Sequence, residues 1–170
     1  MTAEIETARL ALARLTDDDG EFIIRVLNEP SFLRYIGDRG VRTLDDARRY
    51  IQAGPAAGYA RYGHGLMRVA LKPGGTPIGM CGVLRRDTLP EPDLGFSLLP
   101  EYWSQGYAFE AADAVMRHAR EVLHLGRILA ITTTDNEPSM RLLGKLGFRF
   151  DRLVRLGEDP TELRLFISEP

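Results

Sequence analysis

Alternating apolar and polar positions near the start of the chain predict a half-buried strand over residues 9–15. Leu10 and Leu12 fall on one side of this stretch, while Arg9 and Ala11 fall on the other. A period of two residues is typical of a strand with one face toward a core and one toward solvent. The first regular element that the pattern indicates is therefore a sheet strand.

Helices are predicted next, from apolar residues at helical spacing that follow a threonine and a run of aspartates. Thr16 and Thr43 each begin such a pattern, and residues 31–35 form a shorter helical piece between the two. The Gly-Pro dipeptide at 54–55 predicts the end of the second helix. Residues 58–65 are rich in glycine and tyrosine and are predicted to form a loop.

The remaining elements follow from apolar runs bounded by glycine, proline and polar turns. Strands are predicted at 66–71, 77–84, 94–99, 127–134, 148–153 and 162–168, and helices at 108–123 and 136–146. The strand–helix–strand unit over residues 94–134 implies a parallel pair with a right-handed crossover. The fold class is therefore α/β, a mixed sheet with helices on both faces, and we expect a single domain over residues 1–170.

The composition is that of a folded protein without an obvious polyanion partner. Of 170 residues, 44% are hydrophobic and 27% charged, and the net charge is −2, so no nucleic-acid partner is indicated. The arginine pairs at 48–49 and 85–86 are isolated and are expected on solvated faces. Cys81, the only cysteine, lies in an apolar run and is expected to be a small buried side chain. Without a signal-peptide pattern or an apolar run of the ~20 residues that span a membrane, we expect a cytoplasmic protein.

The stretch with the clearest chemical character is residues 94–110. An apolar strand ends at Pro100, a loop centred on Gly106 follows, and a helix begins near Ala108. The first N–H groups of a helix lack partners and carry partial positive charge, so a phosphate fits there. An ordinary strand-to-helix turn is the alternative, since neither a Walker loop nor the full glycine set of a dinucleotide site is present.

These residues also carry a resemblance to a known family. Residues 102–111 resemble the acetyl-CoA loop of the GNAT N-acetyltransferases, in the branch that acetylates ribosomal-protein N-termini (the RimJ/RimL type). That loop reads Gln/Arg-x-x-Gly-x-Gly/Ala. Gly106 and Ala108 match its last two fixed positions, whereas Trp103 departs from Gln/Arg at the first.

A second block supports the same resemblance. Asn136 and Ser139, followed by Gly147 and Phe148, are similar to the family's Asn-x-x-Ser/Ala and Gly-Phe positions at the same spacing. Residues 7–12 also resemble the first strand of the branch, so the resemblance covers nearly the whole chain. It implies a mostly antiparallel sheet of about six to seven strands, with a splayed parallel pair and helices on both faces.

The resemblance implies that acetyl-CoA is the acyl donor and lies between the splayed strands. The pantetheine arm would hydrogen-bond to Phe96, Ser97 and Leu98. The pyrophosphate would lie on the loop backbone, with Asn136 and Ser139 as further contacts; the loop residues are Ser104, Gln105, Gly106, Tyr107, Ala108 and Phe109. The acceptor would be an amine, of a protein N-terminus or of a small molecule, beside Arg34 and Tyr35. The enzyme would be a monomer or a homodimer.

Catalysis requires a base for the attacking amine and an acid for the departing thiolate. Many relatives use as acid a tyrosine seven residues after the asparagine, but that position is Leu143 here. In the branch that the chain resembles, the role falls to Ser139; a serine that only serves the first turn of its helix is the alternative. Asp93 and Glu91 precede the central strand and are the candidate bases, although either could be a surface carboxylate.

Two functions remain open from the sequence. The first is an acetyl-CoA-dependent N-acetyltransferase that acts by direct attack of the amine in a ternary complex. The alternative is a non-catalytic acyl-CoA-binding module, which the missing tyrosine at Leu143 keeps open. No metal is expected, because His64, His118 and His124 do not cluster in the sequence.

Overall fold

Eight strands form one mixed sheet in the computed structural model, which describes residues 2–170. In chain order they are β1 Ile5–Glu6, β2 Leu10–Arg14, β3 Leu66–Leu71, β4 Pro77–Leu84, β5 Asp93–Leu98, β6 Ile128–Thr133, β7 Arg149–Val154 and β8 Leu163–Ser168. Their order across the sheet is β1-β2-β3-β4-β5-β6-β8-β7, and only β5 and β6 pair in parallel. The predicted mixed sheet is confirmed, with eight strands rather than six to seven. The two residues of β1 are too few to show an alternating pattern.

Six α-helices connect the strands within the described residues. They are α1 Gly20–Leu27, α2 Pro30–Tyr35, α3 Leu44–Ile51, α4 Ala57–Tyr62, α5 Tyr107–Glu121 and α6 Glu137–Lys145. The predicted capping box begins α3, where Thr43 Oγ1 accepts from Asp46 N at 3.1 Å and Asp46 Oδ2 accepts from Thr43 N at 3.1 Å. Within residues 2–170, no helix combines the length and the apolarity needed to cross a membrane.

The predicted helix break at 54–55 is wrong, and the predicted loop at 58–65 is wrong for residues 58–62 but confirmed for residues 63–65. A π-helical turn over Gln52–Ala56 carries α3 into α4 and accommodates the buried Pro55. Helix α4 is held from outside, because the Tyr59 hydroxyl accepts from Leu15 N at 3.0 Å and donates to Leu66 O. Tertiary contacts therefore outweigh the low helix propensity of this glycine- and proline-containing stretch.

The helices give each face of the sheet its own core. On one face, α5 contributes Ala112, Val115 and Ala119 to a cluster that includes strand residues such as Val69 and Leu94. On the other face, residues of α1 and α3 pack with strand residue Met80; they are Ile23, Val26, Leu27, Ala47 and Ile51. A separate small cluster on that second face covers β6 and β8. Strand β5 therefore lies where two clusters of the second face adjoin, in the middle of the sheet.

Candidate active site

Strands β5 and β6 separate almost as soon as they begin. Their only paired position is Asp93 with Leu129, where Leu129 N donates to Pro92 O at 2.8 Å. On its other side, β5 pairs with β4 from Asp93 to Leu98. The parallel pair is therefore closed at its amino end and opens into a V-shaped gap toward its carboxyl ends, as the resemblance implied.

The gap is lined by backbone groups of β5 that no strand pairs. Peptide groups alternate in direction along a strand, and Pro92 O points to β6, so the backbone groups of Leu94, Phe96 and Leu98 also point that way. Leu98 O accepts from Trp103 Nε1 at 2.9 Å. The carbonyl of Leu94 and both backbone groups of Phe96 remain for a ligand, since buried backbone groups rarely go without partners, whereas the Leu94 N–H is taken by Leu129 O in the single bridge between β5 and β6. Of the predicted pantetheine contacts, Phe96 and Leu98 thus face the gap, whereas the backbone of Ser97 pairs with β4.

The loop after β5 brings a helix N-terminus to the open end of the gap. Gly106 is the N-cap of α5 with φ 83°, and Ser104 also has a left-handed φ of 60°. The first backbone hydrogen bond of α5 runs from Glu110 N to Gly106 O at 3.0 Å, so the N–H groups from Gly106 to Phe109 have no helical acceptor. This arrangement suits an anion, which is what the loop residues Ser104 to Phe109 were predicted to bind.

Three side chains that no local sequence pattern indicates hold this loop, and we call them the loop brace: Thr7, Arg9 and Glu110. Arg9 Nε donates to Glu110 Oε2 at 2.7 Å, and Thr7 Oγ1 donates to Glu110 Oε1 at 2.6 Å. Arg9 Nη1 donates to Gln105 O at 3.0 Å, and the guanidinium lies 4.2 Å from the ring centroid of Tyr107. The contacts span about a hundred residues of sequence, so local patterns contain no sign of them.

The loop after β6 positions Asn136 and Ser139 at the same end of the parallel pair. Asn136 is the N-cap of α6, and its Oδ1 accepts from Ser139 N at 3.4 Å. The Ser139 hydroxyl is half-buried and makes no hydrogen bond to any of residues 2–170. Leu143, where many relatives place a tyrosine, is fully buried in the core beneath α5. A side chain at that position belongs to the core, whereas Ser139, one turn nearer the N-terminus of α6, is only half-buried.

Asp93 is not a surface carboxylate, because only 1% of it is exposed. Arg86 Nε donates to its Oδ1 at 3.0 Å and Arg86 Nη2 to its Oδ2 at 2.9 Å, so Arg86 is not on a solvated face either. Burial raises the pKa of the Asp93 carboxyl above its usual range, and the Arg86 guanidinium opposes this shift. The pair lies at the closed end of the gap. Glu91 precedes β5 and does not share a strand face with Asp93.

The predicted acceptor-side residues Arg34 and Tyr35 lie at the end of α2. Arg34 Nη2 is 3.2 Å from Asp135 Oδ2, and its guanidinium lies 4.7 Å from the ring centroid of Tyr35. The neighbouring Thr133 hydroxyl and the Arg34 guanidinium hold the pKa of the Asp135 carboxyl below its usual range. This exposed ion pair joins α2 to the loop that carries Asn136, and it therefore brings the predicted acceptor side next to the gap.

The cysteine and the histidines form no further site. Cys81 is fully buried, and burial raises the pKa of its thiol to about 12. His64 Nδ1 contacts Val83 O at 2.6 Å, and His118 Nε2 lies 3.8 Å from Glu4 Oε1. Among residues 2–170, no three His, Cys, Asp or Glu side chains come together in a way that could hold a metal ion.

Comparisons with known proteins agree with this geometry. Residues 9–149 match the family model for an acetyltransferase (GNAT) domain. The chain is 32% identical over 153 residues to YoaA, an N-acetyltransferase of Bacillus subtilis strain 168 described as uncharacterized, covering 89% of this chain and 85% of that protein.

Solved structures show the same fold. An acetyltransferase from Agrobacterium tumefaciens strain C58 superposes with a TM-score of 0.83 at 25% identity, covering 100% of this chain and 95% of that one. RimL, a ribosomal L7/L12 α-N-protein acetyltransferase solved with coenzyme A, superposes with a TM-score of 0.81 at 13% identity, covering 96% and 95%. On the family match and the identity to YoaA, this chain belongs to the GNAT family of acetyltransferases.

Proposed function

We propose that this GNAT acetyltransferase transfers the acetyl group of acetyl-CoA to the α-amine of a peptide N-terminus or of a small molecule, by direct attack in a ternary complex. The observation that carries the proposal is the V-shaped gap between β5 and β6, which has free peptide groups along one edge and the N-terminus of α5 at its mouth. An extended, amide-bearing arm that ends in a diphosphate is complementary to both features.

The residues of the gap fit coenzyme A without any metal or side-chain cation. The Leu94 carbonyl and the backbone groups of Phe96 would take the amides of the pantetheine arm, and the N–H groups of Gly106 to Phe109 would take the pyrophosphate. Asn136 Nδ2 makes no hydrogen bond within residues 2–170 and is a further donor at the open end of the gap. Acetyl-CoA supplies the activated acetyl thioester.

Ser139 is the proposed donor to the leaving thiolate. Its hydroxyl is half-buried and is not engaged by the helix, since Asn136 provides the cap of α6. As the amine nitrogen bonds to the acetyl carbon, the carbon–sulfur bond breaks and a hydrogen bond from Ser139 Oγ stabilises the sulfur. The proton lost by the amine passes to solvent. Cys81 takes no part, because a buried thiol with a pKa near 12 is not a nucleophile at neutral pH.

An α-amine suits this site better than a lysine side chain. The carboxylate of Asp93 is committed to Arg86 and that of Asp135 to Arg34, so neither is free to act as a strong base. An α-amine has a pKa of about 7.7–8.0 and is partly neutral at pH 8, whereas lysine, at about 10.4, is almost wholly charged. Because these two carboxylates are engaged, the site favours the more acidic amine. Asp93, with its raised pKa, and Glu91 remain the candidate bases if one is used.

The test is release of free thiol from acetyl-CoA when amines are added. A panel of peptides with free N-termini should release thiol at pH 8, and the same peptides with a blocked N-terminus and one internal lysine should release far less. The acetylated atom can be identified by mass spectrometry. Tight binding of acetyl-CoA with no thiol release from any amine would instead favour the non-catalytic acyl-CoA-binding module.

A further inference from the structure

The loop brace contacts the anion-binding loop at a single backbone atom, the carbonyl oxygen of Gln105. Arg9 Nη1 donates to that oxygen, while Arg9 Nε is held by Glu110 and the guanidinium plane lies on Tyr107. Glu110 is itself fixed at one oxygen by Thr7 Oγ1 and by Arg9 N, at 2.6 and 2.9 Å. The guanidinium therefore has little freedom to leave the Gln105 carbonyl.

The direction of one N–H group follows from this contact. A trans peptide bond is planar, so the carbonyl of Gln105 and the N–H of Gly106 point in opposite directions. With the carbonyl held by Arg9, the Gly106 N–H is directed to the side of the loop away from the guanidinium. Gly106 adopts φ 83° at no steric cost, but Ser104, the residue before Gln105, is left-handed at φ 60°, a conformation that a non-glycine residue keeps only with support from its surroundings.

We propose that Arg9 is a positioning residue that orients the Gln105–Gly106 peptide, so that the Gly106 N–H faces the diphosphate of coenzyme A. The inference rests on the proposed function, because it assigns the anion at this loop to coenzyme A. Arg9 acts through the backbone and does not touch the donor. It should therefore affect the affinity for the phosphate-bearing part of the donor and leave the pantetheine arm, the amine and the chemical step unaffected.

An arginine is required for this role by its geometry. The guanidinium donates to Glu110 from Nε and to Gln105 O from Nη1 at the same time, and it offers a flat face to Tyr107. A lysine has one nitrogen on a flexible stem and cannot reproduce the fork or the stacked plane. Arg9→Lys should thus keep part of the affinity for coenzyme A that Arg9→Gln loses.

The experiment compares two donors that differ in the diphosphate. The dissociation constant for coenzyme A is measured by calorimetry for wild type, Arg9→Gln, Arg9→Lys and the control Arg117→Gln, which removes an exposed ion pair with Asp113 on the same helix. Arg9→Gln should weaken coenzyme A binding on the order of tenfold, as expected for a lost hydrogen bond from a charged group. The dissociation constant of Arg9→Lys should lie between those of wild type and Arg9→Gln, and that of Arg117→Gln should equal the wild-type value.

A second readout separates positioning from general damage. With acetyl-pantetheine, which lacks the diphosphate, kcat/KM should be the same for Arg9→Gln and wild type, and kcat with saturating acetyl-CoA should be unchanged. Equal losses with both donors would overturn the inference, as would an unchanged affinity for coenzyme A. Failure of wild type itself to bind coenzyme A would instead contradict the proposed function, and the inference with it.

Discussion

Ser139 and Leu143 lie one turn apart on α6, and Leu143 holds the position at which the family resemblance implies a tyrosine. They are four apart and lie on the same side of the helix. Leu143 is fully buried in the core, while Ser139, one turn nearer the N-terminus, is half-buried with a free hydroxyl. Helix α6 therefore carries a polar side chain at the end nearest the gap, although it lacks the tyrosine.

Replacing Ser139 by alanine should lower kcat and kcat/KM together by on the order of 10²-fold, the usual contribution of a positioned acid or base. The affinity for coenzyme A should change little, because the donor is held by backbone groups. Asn136→Ala should behave in the opposite way and weaken coenzyme A binding more than the chemical step. Normal turnover by Ser139→Ala would show that the serine only occupies the first turn of α6.

Cys81 should be chemically silent in the native protein. Burial raises the pKa of its thiol to about 12, so at pH 8 the thiolate is a negligible fraction and a thiol reagent has no access. We expect no reaction with a disulfide reagent until the protein is unfolded, and full activity for Cys81→Ala. Loss of activity in a folded Cys81→Ala protein would point to an acyl-enzyme and overturn direct attack.

At the scale of elements, the shape of β5 depends on close approach of β4. A Cβ built on Gly79 would lie 2.3 Å from Ser97 O and 2.8 Å from Leu98 Cα, so β4 can lie this close to the carboxyl end of β5 only with glycine at this position. The end of β5 is also where Trp103 caps the Leu98 carbonyl. Gly79 of β4 and Trp103 of the following loop therefore both fix the position of the β5 edge that we assign to the pantetheine arm.

Gly79→Ala should destabilise the protein by about 1–3 kcal/mol, the usual cost of overpacking, because backbone atoms cannot move aside as a side chain can. It should also weaken coenzyme A binding, since β5 must shift toward the gap. Gly126→Ala is the matched control, because a Cβ there meets no atom within 4 Å. Urea denaturation of both variants measures the difference, and equal stabilities would contradict the account of β5.

The buried ion pair at the closed end of the gap should make stability depend on pH. The pKa of Asp93 is already raised by burial, and Arg86→Gln should raise it further. A carboxyl with a raised folded pKa contributes stability that is complete below its unfolded pKa of about 3.9 and is lost as pH rises through the folded value.

Arg86→Gln should therefore lower the free energy of unfolding by about 3–5 kcal/mol at pH 8 and by clearly less at pH 5. Urea denaturation at the two pH values measures the difference. The double variant with Asp93→Asn should recover most of the loss and remove the pH dependence. A loss that is the same at pH 5 and pH 8 would mean that the Asp93 carboxyl does not carry the uncompensated charge.

Sequence patterns predicted the elements whose information is local, and missed those that depend on distant contacts. The hairpin of β3 and β4, the strand β5, the helix α5 and the cap of α3 were all confirmed, since alternation, turns and caps act within a few residues. The continuation of α3 into α4 was missed because Tyr59 is held by Leu15 and Leu66. The loop brace and the pair of Asp93 with Arg86 were missed because ion pairs leave no periodic pattern.

At the scale of the whole molecule, the gap between β5 and β6 connects the two faces of the sheet. Helix α5 begins at its mouth, while α2, with Arg34 bound to Asp135, lies on the side predicted for the acceptor. The proposed ternary complex requires donor and amine to enter one gap from different directions, and this arrangement of elements allows it. The family match, the mixed sheet and the relatives named N-acetyltransferases support the predicted N-acetyltransferase function.

The most direct test of this account is the binding of coenzyme A to wild type and to Gly106→Val, measured by calorimetry. Valine is strained at φ 83°, and its Cβ would lie 3.3 Å from Arg9 Nη2, so the loop could not keep its conformation. Wild type should bind coenzyme A, and at a coenzyme A concentration of 100 times the dissociation constant its free energy of unfolding should rise by ~2.7 kcal/mol. Gly106→Val should stay folded, lose binding and gain nothing, while Gly126→Val should bind as wild type does. Undiminished binding by Gly106→Val would contradict the assignment of this loop and gap to the acyl donor.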